Sequence, residues 1–194
     1  MLGDLVFSET RLLASELSSP VKLYVRLYYV LKMLIAELDR SLRFLETRYW
    51  DILMSFYADE IRGDRASAEK LRSELESMRS IAEEYLYVRS LLSSVSLIME
   101  EASPEDLMGP WSIFALTRGV VEEARVSGMK VSAMLAVELA GVRDLLDLLL
   151  SGRSLGGKVD VEGITSRARN ETQAELGKRF PRPFSLSQDL SSLA

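Results

Sequence analysis

Few side chains in this 194-residue chain could do chemistry. It has no histidine and no cysteine. That excludes a disulfide framework, a thiol nucleophile and an imidazole base. It also excludes most zinc sites and the Glu-x-x-His ligand sets of di-iron bundles. The carboxylate pairs Glu83-Glu84, Glu100-Glu101 and Glu122-Glu123 are adjacent in sequence. On a helix, neighbours of that kind do not face each other, so paired acid–base work is not suggested. There is no Gly-rich phosphate loop. The expectation is therefore a protein that is not an enzyme, with no cofactor and no metal.

What remains is charge and a proline motif. Lys22, Arg26, Lys32, Arg40, Arg43 and Arg48 fall on one side of a helical wheel, roughly opposite an apolar stripe. Two readings stand. The basic row could meet anionic lipid or the acidic surface of a neighbouring subunit. Equally, it could be a solvated face with local pairs such as Glu46 with Arg43. The whole chain carries net charge −5, which argues against a nucleic-acid partner. Near the C-terminus stands Phe180-Pro181-Arg182-Pro183-Phe184-Ser185-Leu186. Two prolines favour an extended, pre-ordered strand, which lowers the entropy lost on binding. Phe180, Phe184 and Leu186 could then fill pockets on a partner, or the stretch could be an ordinary linker. At the other end, Leu2, Leu5 and Val6 share a side with Met1, Leu13 and Leu17. Residues 1–19 could lie in a membrane interface or pack on the rest of the chain as a short helix.

These residues need elements to position them, and the pattern is helical throughout. Hydrophobic residues make up 47% of the chain and charged residues 27%, enough for a core. After Pro20, apolar residues recur every three or four positions: Leu23, Leu27, Val30, Leu34, Leu38, Leu42, Leu45, Tyr49, Ile52 and Phe56. This predicts one helix from Pro20 to about Arg62. Gly63-Asp64 reads as a helix stop followed by a cap. A second series, Ala68, Leu71, Leu75, Met78, Ala82, Tyr85, Val88, Leu92, Val95 and Met99, predicts a second long helix ending before Ser103-Pro104. Two such helices joined by two residues must run antiparallel. Two shorter helices are expected within 105–150: Trp111 to Val126, closed by a break at Ser127-Gly128, and Val131 to Leu150. Met78, Met99 and Met134 sit at core spacing. Residues 151–157 read as a flexible linker. Residues 161–178 read as one more short helix in a separate tail. No signal peptide is expected at the start, nor any apolar run of the roughly 18 residues needed to span a bilayer.

The hairpin tip carries a resemblance. The run Ile61-Arg62-Gly63-Asp64-Arg65-Ala66-Ser67-Ala68 through Glu74-Leu75-Glu76-Ser77-Met78-Arg79 resembles the start of the second helix in the ESCRT-III family. The archaeal cell-division branch is the most similar. Leu38-Asp39-Arg40 and Leu45-Glu46-Thr47-Arg48-Tyr49 look like that family's first helix. Leu91-Leu92-Ser93-Ser94-Val95-Ser96-Leu97 and Leu145-Leu146-Asp147-Leu148-Leu149 also fit. The resemblance covers about residues 20–150 and implies an all-α subunit with a long helical hairpin; the chain looks too short to carry the winged-helix domain found in some members. It implies polymerisation with itself and with paralogues, and remodelling of membrane in cytokinesis. The implied partners are a membrane-tethering division protein and an AAA ATPase with an MIT domain, which would take the 180–186 segment. The implied location is the inner face of the cell membrane at the division site.

Two features depart from the family pattern. Residues 20–62 hold seven basic against six acidic residues, so the first helix is only slightly basic, and recruitment by a partner gains weight over direct lipid contact. The tail is basic rather than acidic, with seven against five over 151–194. Any autoinhibitory counter-surface is then expected in the acidic segment 102–150. The competing function is a soluble helical scaffold or adaptor, for which the hairpin alone suffices.

Overall fold

Two stretches free of Pro and Gly become two long helices. The computed structural model describes residues 20–101, 111–128, 132–150 and 161–184. They form α1 (Pro20–Arg62), α2 (Arg65–Glu101), α3 (Trp111–Gly128), α4 (Ala133–Leu150) and α5 (Val161–Arg179), with no strand among the described residues. At 43 residues, α1 is about 65 Å long. The described fold is thus all-α, as the periodicity predicts.

The turn between α1 and α2 is built from two residues. Gly63 has φ 77°, the left-handed conformation that glycine adopts without penalty. Its N–H bonds to Glu60 C=O at 3.2 Å, and Asp64 N–H bonds to Asp59 C=O at 3.0 Å, so two of the four orphan carbonyls at the end of α1 are satisfied. Asp64 then caps α2, its carboxylate accepting from Ser67 N–H at 3.1 Å. Ser67 Oγ donates in turn to Asp59 at 2.6 Å, which ties the two helix ends together.

From this turn the antiparallel register follows. Arg48 pairs with Glu74 at 3.1 Å, Arg89 with Asp39 at 2.5 Å and Lys32 with Glu100 at 2.5 Å. Tyr24 O–H donates to Met99 C=O at the open end. Most of the expected seam is buried on both helices; Leu45, Ile52, Leu71 and Tyr85 are half-buried.

α3 and α5 pack on α2, and α4 packs on α3. Glu123 accepts from Tyr87 O–H at 3.0 Å, so α3 runs antiparallel to α2. Salt bridges from Arg118 to Asp147 and from Arg143 to Glu122 place α4 antiparallel against α3. Ser127 and Gly128 belong to α3 rather than breaking it, and α4 starts at Ala133 because Ser132 Oγ caps Leu135 N–H at 3.2 Å.

The stretch 161–184 corrects the expectation of a separate tail. Helix α5 lies along α2, running toward the hairpin tip. Ser90 donates to Glu171 at 2.5 Å, and Gln173 donates to Glu83 at 2.6 Å. Gly119 allows this approach at the start of α5: a Cβ there would meet a Val161 methyl at 2.7 Å.

Two apolar cores result. One, at the open end, joins the first half of α1, the second half of α2, α3, α4 and Ala168 of α5. The other, at the tip, joins Leu42, Tyr49, Leu53 and Phe56 of α1 with Leu75, Met78 and Leu86 of α2 and with Leu176 and Phe180. Met78 and Met99 are buried as their spacing predicts, but Met134 is 63% exposed: α4 turns the opposite face to the core.

Glu138 is an exception within α4. It is 7% exposed, and its Oε1 has no hydrogen-bond partner among the described residues. Burial, and then the nearby Glu37 carboxylate, push its pKa up. The folded state therefore holds this proton at a pH where the unfolded chain has lost it. Stability from this group falls as pH rises through the usual carboxylate range. Glu122 works the other way. Arg125 and then Arg143 hold it at about 2, a contribution present above the ordinary carboxylate pKa and lost as pH falls toward about 2.

Two measurements check this account. Gly63→Ala forces a side chain into a left-handed turn and should lower stability by about 1–2 kcal/mol in urea unfolding. Glu138→Gln should raise the thermal midpoint at pH 7 and shrink the difference between pH 5 and pH 7.

Candidate functional site

The C-terminal segment closes over the tip half of the hairpin. α5 presents a narrow buried stripe of Ala168, Thr172 and Leu176, four residues apart. At its end Phe180 inserts between α1 and α2 and is 0% exposed. Its ring meets Tyr49 edge-on, with centroids 5.3 Å apart. Tyr49 O–H donates to Pro181 C=O, and Arg79 Nε donates to Phe180 C=O at 3.1 Å. Burial raises the Tyr49 pKa, so its phenol stays a donor through neutral pH.

One ion-pair cluster fixes the end of α5. Arg179 bonds to Glu46 of α1 at 2.7 Å and to Glu175 of its own helix at 2.9 Å. Partial burial would lower the Arg179 pKa, but the hydrogen bonds to Glu46 and Glu175 raise it overall. Glu46 is therefore engaged by Arg179, not by Arg43 as its spacing suggests. Beyond Arg179 the chain leaves the helix and has no regular structure at Pro181, Arg182 and Pro183, and the Phe184 ring lies 5.0 Å from that of Tyr57.

The expected docking residues are thus divided. Phe180 already fills an intramolecular pocket. Pro181 and Pro183 are half-buried, and Phe184 is 55% exposed. Leu186 lies outside the described residues, as do Leu2, Leu5, Val6 and the rest of 1–19.

The outer face of α1 is the second feature. Lys22, Arg40 and Arg43 are exposed there, and Arg26 is half-buried. Lys32 and Arg48 are not opposite the seam, because both lean across it to glutamates of α2. Glu100, the partner of Lys32, is held below the usual carboxylate range, chiefly by its hydrogen bond from Lys32. Interleaved with the basic residues stand Val25, Tyr29, Met33, Phe44, Trp50, Met54 and Ile61, all exposed. An apolar row of this size on one helix is the feature that the search for a single seam missed. Its residues fall between the seam positions, where basic charge draws the eye.

Among the described residues of 102–150, no acidic side chain forms an ion pair with that face. Glu122, Asp144 and Asp147 pair with Arg118, Arg125 and Arg143 within α3 and α4, and Glu123 with Arg169 of α5. Lys32, Arg40 and Arg48 pair with Glu100, Glu37 and Glu74 instead. The C-terminal segment also folds back onto the hairpin, held by the packing of Leu176 and Phe180, by Arg179 with Glu46 and by hydrogen bonds from Ser90, Gln173 and Arg79.

Among the described residues no group of acidic side chains is placed to hold a metal ion, and no helix is long and apolar enough to cross a membrane. The chain matches no family model, no curated protein and no solved structure.

Phe180→Ala removes the ring from the tip core, a loss of about 3–5 kcal/mol in local terms. Hydrogen exchange should then speed up across 172–184 while α3 and α4 keep their protection. Phe184→Ala, at a half-exposed position, should change exchange far less.

Proposed function

We propose that this chain is a polymer-forming, membrane-remodelling protein of the ESCRT-III type, in a closed form. The observation that carries the reading is the outer face of α1. Seven large apolar side chains stand exposed along some 55 Å of one helix, between Val25 and Ile61, with Lys22, Arg40 and Arg43 among them. An apolar row of that extent, rimmed by charge, fits a contact surface. Repeated along a rigid helix, it suits side-by-side stacking of copies or docking onto an anionic bilayer surface. The hairpin resemblance at Gly63 and Asp64 supports the same class.

The docked segment 161–184 supports the closed form. In this reading, release of Phe180 frees the tip half of the hairpin for a neighbouring subunit. It also exposes the proline-containing stretch to an MIT-domain AAA ATPase that dismantles the polymer. Paralogous subunits and a membrane-tethering division protein complete the set of partners. The site of action is the inner face of an archaeal cell membrane during cytokinesis. A plain helical scaffold is the competing reading, but it has no use for a segment that masks the hairpin tip.

Negative-stain electron microscopy with and without anionic liposomes tests this. Filaments, rings or decorated tubes are expected, and more of them from Phe180→Ala than from the unaltered chain. Uniform small particles from both proteins, with lipid present, would defeat the reading in favour of the scaffold. Replacing Lys22, Arg26, Arg40 and Arg43 together with Gln should weaken vesicle sedimentation. At about 1 kcal/mol per basic residue near an anionic surface, the loss is roughly two to three orders of magnitude. Unchanged sedimentation would remove the basic row from the mechanism.

A further inference from the structure

A second feature of the C-terminal segment concerns what lies beneath it. Between α2 and the chain that follows α5 is a cleft of about 340 Å³. One wall is a single stripe of α2, with Arg72, Glu76, Arg79 and Ser80 at helical spacing. The other wall is Arg182 of the docked segment. The volume falls within the range of small-molecule sites and exceeds what a single bare ion needs.

The arginines of this cleft are unlike most others in the protein. Arg40, Arg48, Arg62, Arg89, Arg118, Arg125, Arg143, Arg169 and Arg179 each sit within ion-pair distance of a carboxylate. Arg72, Arg79 and Arg182 have no such partner among the described residues. Arg72 Nε is buried and lacks any hydrogen bond, its guanidinium lying 5.5 Å from the Phe56 ring centroid. Arg79 spends Nε on Phe180 C=O, which leaves its Nη groups for the cleft. Three guanidiniums share this cavity with two carboxylates, Glu76 and Glu83, neither of which is within ion-pair distance of them, so the arginines remain the surplus charge and can recognise a phosphate group, which accepts several arginine hydrogen bonds at once. Glu76 and Ser80 beside them suit hydroxyl groups on the rest of a ligand, and Glu83, which accepts from Gln173, closes the far side.

We propose that this cleft binds a soluble small molecule carrying a phosphate ester, and that binding holds the C-terminal segment shut. The ligand would bridge Arg182 on the segment to Arg72 and Arg79 on α2. It would then favour the docked state by its differential affinity for that state. The site stands on the geometry of the cleft and holds whether or not the protein acts on membranes.

The test uses the full chain, with pyrophosphate and glycerol 3-phosphate as probes in titration calorimetry at low salt. Saturable binding of one probe molecule per chain is expected. Arg72→Gln and Arg182→Gln should each weaken it by about tenfold, the scale of one lost charge-assisted contact. Arg65→Gln, an exposed arginine of the same helix outside the cleft, should leave it unchanged. Arg182 is itself exposed, so its variant keeps the fold, and a matching circular dichroism melt checks this. Hydrogen exchange over 176–184 should slow with ligand in the unaltered chain and not in Arg182→Gln. No saturable binding of either probe, or an equal loss with Arg65→Gln, would overturn the site. Binding without slowed exchange would overturn the bridging role. Binding seen only with vesicles of phosphatidic acid would overturn the soluble ligand in favour of a lipid headgroup.

Discussion

The second half of α2 has to be covered on most of its sides, and the rest of the fold is the answer to that constraint. Leu86, Tyr87, Val88, Ser90, Leu91 and Leu92 are all buried, as are Val95, Ser96 and Met99, while Leu97 stays exposed. A helix buried over most of its circumference cannot be satisfied by one partner. α1 covers one side through the hairpin seam, α3 a second and α5 a third. α4 then covers α3. The tip half of α2 is different: only Ala68, Leu75, Met78 and Ala82 are buried before Leu86, a single stripe that α1 and the end of α5 fill. The molecule therefore has a many-sided core at its open end and a thinner one at its tip.

That asymmetry explains what could be read from the sequence. The hairpin was legible because each of its determinants is local. An uninterrupted three-and-four spacing sets the helices, and Gly63-Asp64 sets the turn and so the register. The position of α5 was not legible. Its buried stripe is Ala168, Thr172 and Leu176, which offers one small residue, one polar residue and one leucine, so no amphipathic pattern announces a partner. Phe180 was visible as an aromatic beside a proline, but an aromatic in that setting suits an intramolecular pocket and an external one equally. Only the placement of Tyr49 and Arg79 around it decides. Glu46 shows the same limit: the i−3 spacing to Arg43 is a local rule, and it loses to Arg179 arriving from far along the chain. The apolar row on the outer face of α1 was present in the sequence too, hidden because the search for one seam assigns every other hydrophobe to the background.

The docking of α5 is strong at its end and weak along its length. Thr172 is buried, and its Oγ1 has no hydrogen-bond partner among the described residues, which costs about 1–3 kcal/mol relative to a satisfied hydroxyl. The Arg179 pairs are partly solvent-screened and add modestly. Leu176 and Phe180 supply most of the grip, both at 0% exposure. Truncating residues of these types typically costs about 2–5 and 3–5 kcal/mol respectively. A segment held by two anchors at one end can peel from that end once those anchors leave, while its start, where Ala168 joins the open-end core, stays in contact with α2 and α3.

This sets what a partner must do to open the protein. A ligand with 1 μM affinity for the released segment gains about 8 kcal/mol at standard state, close to the combined worth of the two anchors. A partner that gripped only Pro183 and the half-exposed Phe184 would reverse little burial beyond the Phe184–Tyr57 contact, and so would shift the equilibrium little. One that takes Phe180 must first have it released, and its apparent affinity is reduced by the fraction of chains that are open. Phe180 cannot serve the tip core and an external pocket at once. Occupation of the segment by a partner and exposure of the hairpin tip are then two descriptions of one equilibrium, and the side chain that decides it is Phe180 rather than either proline beside it.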